Sequence, residues 1–487
     1  MESIRPLLAV LVSAIAAIFI LLSSKHKNIR EGWTLGASII KFSIIISMVP
    51  VILNGGVIEY TLIELIPGIL FKFRVDAFGL FFGITSSFLW IFTSIYSIGY
   101  MRGLNEHAQT RYYISFAIAL SSTIGIAFSA NLFTLFIFYE ILTLITYPLV
   151  IHKETPEAMR GGRIYLVYLL SSGVILLFAI ILTYQLTGTL DFVNNGFLKG
   201  SASSELLRAL FVMFIIGFGT KAALMPLQAW LPIAMIAPTP VSALLHAVAV
   251  VKAGVFGVIR VVYFVYGVDV MSNLNLGYPL AIAASITILL ASMFALAEDN
   301  LKRRLAYSTV SQLSYIILGA ALLTPYGLTG GILHIAFHAF MKITLFFCAG
   351  AIYVRTRLEN ISDMDGIGHK MPFTLTAFTI AAAGMAGTPA IAGFISKWYL
   401  CIGAMDANEF IFVAVLLMSA LLNVAYFFPI IYNAFFKEPN GKIHIYPSNS
   451  IPLKTPLVLT AIGSIILGLF PDYTFLPLVR LIVGGIF

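Results

Sequence analysis

Long apolar stretches separated by short polar ones run along the whole chain of 487 residues. An apolar run of about 17 residues or more is long enough to cross a bilayer as a helix. Allowing for interruptions by Gly and Pro, the pattern predicts fourteen spans, near residues 6–22, 33–53, 76–98, 112–130, 131–151, 163–187, 206–230, 240–266, 278–297, 305–322, 327–353, 372–400, 409–436 and 453–470. The tail 471–487 is too short to span comfortably, so we expect it to lie at the membrane interface.

The composition supports an all-α integral membrane protein. Hydrophobic residues make up 60% of the chain and charged residues only 10%, whereas a soluble domain has about 25% charged residues. The net charge of +8 does not indicate nucleic-acid binding, because the basic residues are scattered through short loops. Cys348 and Cys401 lie in apolar segments without CxxC or CxxH spacing. We therefore expect buried, inert thiols and no redox cofactor on this chain.

The loops differ in positive charge from one side of the membrane to the other. Even-numbered loops and the two termini hold six Lys and Arg residues, and odd-numbered loops hold seventeen. Because positively charged loops stay in the cytoplasm, this asymmetry predicts a multi-pass protein of the cell membrane with both termini outside the cytoplasm.

Two predicted spans carry helix breakers at their centres. The seventh reads GFGTKAALMPLQAWLP, with Pro226 and Pro232, and the twelfth reads GMAGTPAIAGFISKW, with Gly387, Pro389 and Gly393. Each contains Gly-Thr, nine residues and then Trp, and each carries one lysine. Broken helices at corresponding positions are typical of inverted repeats that enclose an ion site, although similarity of short apolar strings can arise by chance.

The repeat divides the chain into four parts. These are a three-helix N-terminal segment (1–111), a first inverted repeat of helices four to eight (112–266), a second of helices nine to thirteen (278–436), and a C-terminal helix with its interfacial tail (453–487).

Titratable side chains lie inside several predicted spans. A charge at the bilayer centre costs about 2.5–3.5 kcal/mol, so such residues need partners, water or a function. A row of titratable groups across a membrane domain is what a proton path requires. The residues are Lys41, Lys221, Lys252, Arg260, Lys342, Lys397, His246, His334, His338 and Glu140.

The residue types suggest different roles. Glu140 is the acidic residue placed deepest, and Lys221 is its expected partner, as a proton-exchanging pair or as a structural ion pair. A buried lysine can release and accept a proton near neutral pH, whereas an arginine stays charged. We therefore assign Lys221, Lys252, Lys342 and Lys397 to proton handling. Arg260 is expected to anchor a helix end, and Lys41 to snorkel or to face a neighbouring subunit.

The histidines extend this row. His246 precedes Lys252 by six residues, and His334, His338 and Lys342 share one helix face at i, i+4 and i+8. Histidine titrates near neutrality and can pass protons between water and lysine. A hydrogen-bonded core pair and a zinc site are the alternatives. The segment HIAFH lacks the glutamate of HExxH and a third ligand is not evident, so we expect no metal.

A charged turn in the segment 298–304 precedes four polar residues that enter the next helix. They are Ser308, Thr309, Ser311 and Gln312. An anchor at the membrane interface explains the turn locally.

Five segments resemble the antiporter-like subunits of respiratory complex I, Mrp-type cation/proton antiporters and energy-converting membrane-bound hydrogenases. They are NLFTLFIFYEILTLITY, TKAALMPLQAWLPIAMIAPTPVSALLHAVAVVKAG, DNLKRRLAYSTVSQLSY, HIAFHAFMKITLFFCAG and GMAGTPAIAGFISKW. The resemblance covers nearly the whole chain. The chain ends soon after its fourteenth predicted span, so we expect that it is not the longest family member, which carries a long lateral C-terminal helix.

The resemblance implies a role for each residue of the row. Glu140 and Lys221 match the family's glutamate–lysine pair, and His246 and Lys252 match its connecting residues. His334, His338 and Lys342 match the central polar axis, and Lys397 matches the lysine of the second broken helix. In this family the axis carries protons, driven by a redox arm or coupled to sodium. The implied partners are other membrane subunits, protons and sodium ions.

The hypothesis we favour is therefore a non-redox, proton-translocating subunit of a larger membrane complex. A stand-alone solute transporter is the main alternative, and it would need one roomy site at the broken helices. A scaffold with a vestigial axis and direct quinone chemistry are weaker alternatives.

Overall fold

The computed structural model describes residues 1–66, 68–439, 443–447 and 451–487. Most of these residues are helical. In chain order the elements are α1 Arg5–Leu22, α2 Lys27–Ile46, α3 Val49–Leu53, β1 Ile58–Ile66, β2 Ile69–Val75, α4 Ala77–Gly103, α5 Gln109–Ala127, α6 Leu132–Val150, α7 Pro156–Thr187, α8 Ser204–Lys221, α9 Trp230–Ile233, α10 Thr239–Ala243, α11 Val250–Arg260, α12 Gly267–Asn273, α13 Gly277–Ala297, α14 Leu301–Ala321, α15 Pro325–Thr356, α16 Ile367–Lys370, α17 Pro372–Ala386, α18 Ala392–Asp406, α19 Phe410–Phe436, α20 Ile451–Leu469 and α21 Leu476–Gly484.

Ten helical segments in the described part of the chain are long and apolar enough to cross a membrane. The protein is therefore a multi-pass, all-α integral membrane protein, as the hydrophobic pattern predicted. The two broken spans are not among the ten. Helix α8 of the first carries three charged residues, Glu205, Arg208 and Lys221, and the second is divided into two helices of 15 residues each. The count of fourteen spans stays a prediction.

Several helices begin where a polar side chain caps their first turn. Asn131, Thr155, Ser203, Asn300 and Thr324 each accept a hydrogen bond from a backbone N–H of the helix that follows. These caps satisfy amide groups that would otherwise lack a partner at the helix end. Short polar residues between apolar runs therefore fix the boundaries of the spans.

Both predicted helix breaks are present. Helix α8 ends at Lys221 and α9 begins at Trp230, with the chain between them in turns. The Trp230 Nε1 donates to the carbonyl oxygen of Thr220 at 2.8 Å, so the indole satisfies a carbonyl that the break frees. Helix α17 ends at Ala386, and Gly387 follows with φ of 99°, a conformation that favours glycine. The relation of the two segments as inverted repeats stays a prediction.

The predicted span 240–266 is more irregular than its apolar pattern indicated. Between α10 and α11 lies a π-helical stretch, Leu244–Val248, and a second one, Val261–Tyr266, follows α11. π-Helical turns are frequent at functional sites. His246 lies on the first of them, a position that hydrophobic periodicity could not reveal.

A β-hairpin was also not predicted. Strands β1 and β2 pair antiparallel, and Glu59 on β1 forms ion pairs with Lys72 at 2.9 Å and Arg74 at 2.6 Å on β2. The backbone N–H of Arg74 donates to the carbonyl of Phe128 at 2.7 Å, which ties the hairpin to the end of α5. The hairpin is therefore anchored to the helix bundle at the end of α5.

Two helical segments have their most apolar stretches completely buried within the protein, and we call them the enclosed segments: residues Thr239–Asn273 and helix α15. The outer helices α2, α7 and α19 bury only a minority of their most apolar stretches, and the remainder of each is an apolar face turned outward. Polar groups on the two inner segments are thus separated from lipid by a layer of helices, which is where charged side chains are tolerated in a membrane protein.

Two of the buried cations have structural roles. Arg260 forms a paired contact with Asp76, at 2.5 and 2.8 Å, and Asp76 also caps α4 by accepting from the N–H of Gly79 at 2.7 Å. The expectation that Arg260 is an anchor is therefore met. The expectation for Lys41 was wrong, because its side chain is buried within the chain, bonded to Ser13 and lying 4.8 Å from the Trp90 ring.

The Arg260–Asp76 pair predicts that the single substitution Asp76→Asn strongly destabilises the protein. Asp76→Asn keeps a side chain that can cap α4 but leaves the Arg260 charge unpaired in the interior. Loss of one partner of a buried pair costs about 3–5 kcal/mol, so we expect a markedly lower free energy of unfolding in detergent micelles. Asp269→Asn is the matched control, because its pair with Lys199 is largely exposed. Equal stability of the two variants would contradict the anchoring role.

Candidate functional site

Eight titratable residues of the predicted row lie on five segments. Glu140 is on α6, Lys221 ends α8, His246 and Lys252 lie on the enclosed segment Thr239–Asn273, and Lys397 is on α18. The three others follow one face of α15; they are His334, His338 and Lys342. Every basic residue of the row is buried, and Glu140 is partly buried.

Glu140 and Lys221 are neighbours without a direct ion pair. The Lys221 ammonium donates to the carbonyl oxygen of Tyr139 and lies 3.2 Å from the centroid of the Tyr139 ring. Glu140 is the carboxylate that acts electrostatically on Lys221, yet its Oε1 is buried without a hydrogen-bond partner among the described residues. Lys221 is therefore held beside Glu140 by a backbone carbonyl and an aromatic face and not by a direct ion pair.

Gly173 on α7 makes room for the Glu140 carboxylate. A Cβ atom at Gly173 would lie 2.5 Å from Oε1 and 3.0 Å from Oε2. The absence of a side chain at this position lets α7 approach the carboxylate closely.

Helix α11 connects the first break to the centre of the protein. Gly254 packs against the break itself, so that a Cβ there would lie 2.8 Å from the carbonyl carbon of Lys221. Lys252 lies two residues earlier on the same helix. His246 lies on the adjoining π-helical turn, with its ring 4.9 Å from Phe346 and with both ring nitrogens lacking a hydrogen-bond partner among the described residues. Buried polar groups of this kind are usually satisfied by water.

Lys252 and His338 join the two enclosed segments. The Nζ of Lys252 lies 2.9 Å from the Nδ1 of His338, a hydrogen bond in which either group can hold the proton. The Nε2 of His338 lacks a partner in the described protein. One turn away on α15, the His334 ring lies 5.8 Å from the His338 ring. No hydrogen bond joins the two rings among the described residues, so a proton would pass between them only through water.

Two side chains hold the His334 ring from opposite edges. Its Nδ1 lies 2.8 Å from the hydroxyl of Ser396 on α18, and its Nε2 lies 3.0 Å from the amide oxygen of Gln312 on α14. The hydroxyl can donate or accept, whereas the amide oxygen only accepts. His334 thus has Nε2–H directed to Gln312 and leaves Nδ1 available to exchange a proton through Ser396.

Lys342 continues the row toward the other end of α15. Its ammonium donates to Ser308 at 2.9 Å and to the carbonyl of Leu305 at 3.2 Å, both on α14. The hydroxyl of Tyr426 on α19 also donates to Ser308, at 2.9 Å. The hydroxyl groups of Ser308 and Tyr426 therefore extend the hydrogen bonding of Lys342 to helix α19.

Lys397 sits at the second break. Its ammonium donates to the carbonyl oxygens of Met385 at 2.6 Å and Ala386 at 3.2 Å, the last residues of α17. It also lies 5.2 Å from the Tyr315 ring, which stacks on His334. Carbonyls freed at a helix C-terminus carry partial negative charge and favour a cation. The break thus provides the site for the lysine.

The structure therefore brings Lys252 to His338, places His334 one turn away, and sets Glu140 near Lys221. A path through all eight predicted residues stays a prediction. Ser308, Gln312 and Ser396 are bonded to this row but were not assigned to it from the sequence. The polar cluster after the charged turn was the available signal for Ser308 and Gln312. No sequence signal identified Ser396.

The row itself is poorly suited to a metal. Lys252 bonds directly to His338, and Lys342 lies one turn further along α15. Two ammonium groups next to the imidazoles would repel a metal cation. The expectation that these residues bind no metal stays a prediction.

The sequence matches a known protein family. The family described as NADH:quinone oxidoreductase/Mrp antiporter, TM, matches residues 129–423. The chain is also 34% identical over 394 residues to NADH-quinone oxidoreductase subunit N of Desulforudis audaxviator (strain MP104C), an alignment that covers 78% of each chain.

Two solved structures share the fold. A chain in the structure of the Mrp complex from Dietzia sp. DQ12-45-1b superposes with a TM-score of 0.88 at 21% identity, covering 99% of this chain and 97% of that one. A chain of the membrane-bound sulfane sulfur reductase, an archaeal respiratory membrane complex, gives a TM-score of 0.87 at 24% identity, covering 99% and 98%. These likenesses establish a shared architecture across the full length of the chain.

The His334 contacts predict that Ser396 contributes to the stability of the protein, whereas Ser285 does not. Ser396→Ala removes one of the two hydrogen bonds of the His334 ring and leaves a buried polar atom unpaired, which costs about 1–3 kcal/mol. Ser285→Ala is the control, because the Ser285 hydroxyl is buried without a partner in the described part of the chain. Chemical unfolding in detergent should show destabilisation for the first change alone. Equal unfolding curves would mean that the Ser396 contact does not hold the ring.

Proposed function

Because the chain belongs to the family of NADH:quinone oxidoreductase and Mrp antiporter membrane subunits, we propose that it is a proton-translocating subunit of a multisubunit membrane complex. Protons pass along the buried row and water connects its gaps. The residues of this path are Glu140, Lys221, His246, Lys252, His338, His334, Lys342 and Lys397.

The observation that carries this proposal is the chain of contacts from Lys252 through His338 and His334 to Ser396. It joins three helices, α11, α15 and α18, and its last member precedes Lys397 by one residue. Lysine and histidine both exchange protons near neutral pH when their surroundings permit. A static scaffold has no need of exchangeable groups joined by two hydrogen bonds, Lys252 to His338 and His334 to Ser396, on either side of two neighbouring histidine rings.

The charges along the row make transport stepwise. No carboxylate of the described chain forms an ion pair with Lys252, Lys342 or Lys397. In an apolar interior, a proton on one of these lysines disfavours a proton on the next by repulsion. Arrival of a proton at one end of the row therefore promotes release at the other end.

Glu140 controls the first step. While its carboxylate is charged, it stabilises the protonated form of Lys221. When the carboxylate is neutralised, Lys221 gives up its proton toward Lys252 and His246, through the break against which Gly254 packs. Because Lys221 passes its proton on only after Glu140 is neutralised, the path is gated and is not an open channel. Gating is required, since a proton moved against 100 mV costs about 2.3 kcal/mol and free leakage would dissipate the gradient.

A cavity beside the first break provides an aqueous entry. It has a volume of about 470 Å³ and is lined by Gln228, Lys302 and Glu359, among others. Its charged lining is suited to water and ions rather than to an apolar solute. For that reason we place the stand-alone solute transporter second.

The proposed function also implies an orientation in the membrane and a set of neighbouring subunits. The seventeen positive residues of the odd-numbered loops favour the cytoplasmic side for the cavity and the outer side for both termini, in the cell membrane. The neighbours are other membrane subunits. They supply energy either from a redox arm of the hydrogenase or complex I type, or from sodium exchange of the Mrp type.

We expect Glu140→Gln to abolish coupled proton translocation while the complex still assembles. The amide has the shape of the carboxylate but cannot hold the charge that stabilises protonated Lys221. Proton uptake by vesicles containing the native complex should fall to the level of vesicles without the chain. Glu157→Gln, an exposed residue of the first turn of α7, is the control and should pump normally. Normal pumping by an assembled Glu140→Gln complex would refute this role.

Lys397→Arg separates proton exchange from static charge. Arginine supplies a cation for the α17 carbonyls but does not release its proton. We expect an assembled complex whose proton translocation falls to background, as in Lys397→Gln. Wild-type rates in the arginine variant alone would identify Lys397 as a fixed charge instead.

A further inference from the structure

A cluster of metal-ligating side chains lies away from the buried row, at one end of the helix bundle. Glu106 and His107 belong to the loop between α4 and α5, and His152 belongs to the loop between α6 and α7. One ligand atom from each of the three residues lies within 4.8 Å of the other two. Because the residues come from two separate loops, no sequence motif indicates the cluster.

His152 is the least expected member. Its side chain is completely buried, yet both Nδ1 and Nε2 lack a hydrogen-bond partner among the described residues. Its Nε2 faces the Glu106 carboxylate at 3.7 Å, and its ring is stacked 4.9 Å from that of His107. A buried imidazole without partners needs a ligand or water to offset its desolvation.

The loop around the cluster is held in place by charge. Arg111 donates to Glu154 at 2.5 Å and to the carbonyl of His152 at 3.4 Å. Glu154 also lies 3.9 Å from His107. The negative charges of Glu106 and Glu154 offset the positive charges of Arg111 and the neighbouring Lys153.

We propose that Glu106, His107 and His152 bind one divalent transition-metal ion of the zinc type, which links the α4–α5 and α6–α7 loops. Two imidazoles and one carboxylate form a ligand set suited to zinc, with water as the fourth ligand. Ligand atoms around tetrahedral zinc lie about 3.3–3.4 Å apart, given zinc–nitrogen distances of about 2.0–2.1 Å. His107 is exposed and Glu106 partly exposed, so both can close the remaining distance onto the buried His152.

This site is independent of proton translocation. The test is zinc titration by calorimetry of the full-length chain in lipid nanodiscs, without a histidine tag. We expect one zinc ion per chain, and an affinity at least about tenfold lower in His107→Gln and in Glu106→Gln. His369→Gln is the matched control, since His369 is exposed and lies outside the cluster. It should bind zinc as the parent chain does.

Cobalt provides a second readout. Co²⁺ bound in place of zinc should give the visible absorption of a tetrahedral site in the parent chain and in His369→Gln, but not in His107→Gln. Because His107 is exposed, this variant should fold even if His152 variants do not. Failure of the parent chain to take up zinc would overturn the proposal, as would equal zinc affinity in the parent and His107→Gln chains.

Discussion

A lysine ammonium inside a membrane protein needs hydrogen-bond acceptors within about 3 Å, because desolvation of the charge is costly. The interior of this chain is arranged around that constraint. Lys397 binds the carbonyls at the end of α17, Lys221 binds the carbonyl of Tyr139, and Lys252 binds an imidazole. The helix break at Ala386, the close approach of α11 to α8, and the enclosure of α15 all provide or protect such acceptors. None of these acceptors is a carboxylate, so each lysine is held without being fixed in its charged form.

The two helix breaks end helices and also supply carbonyl groups that bind buried side chains. Breaking a helix in a membrane frees carbonyl groups that need new partners. At the first break the Trp230 indole satisfies one of them, and at the second break Lys397 does so. The two tryptophans that looked equivalent in the sequence differ, since Trp230 is buried whereas Trp398 is exposed. Only the first of them therefore has the capping role.

Ten apolar spans, the two breaks and the burial of the Lys and His residues of the row could be predicted from the sequence, because apolar length, Gly and Pro positions and misplaced charges are local signals. The contacts between these residues could not. Ser396 bonds to His334 across two helices, and the π-helical turn at His246 depends on tertiary packing. Lys41 was misjudged for the same reason, because its acceptor, Ser13, lies on another helix. The hairpin was missed since its strands lie in a segment that the helical pattern left as a loop.

The most direct test of the account is a cryo-electron microscopy map of the native assembly at a resolution that shows ordered water. The proposal of a proton path predicts water within hydrogen-bond distance of both ring nitrogens of His246, forming a connection between Lys221 and Lys252. It also predicts membrane subunits packed against this chain. Dry, apolar packing around His246, with no water between the first break and Lys252, would contradict a continuous path and leave the buried lysines with a structural role.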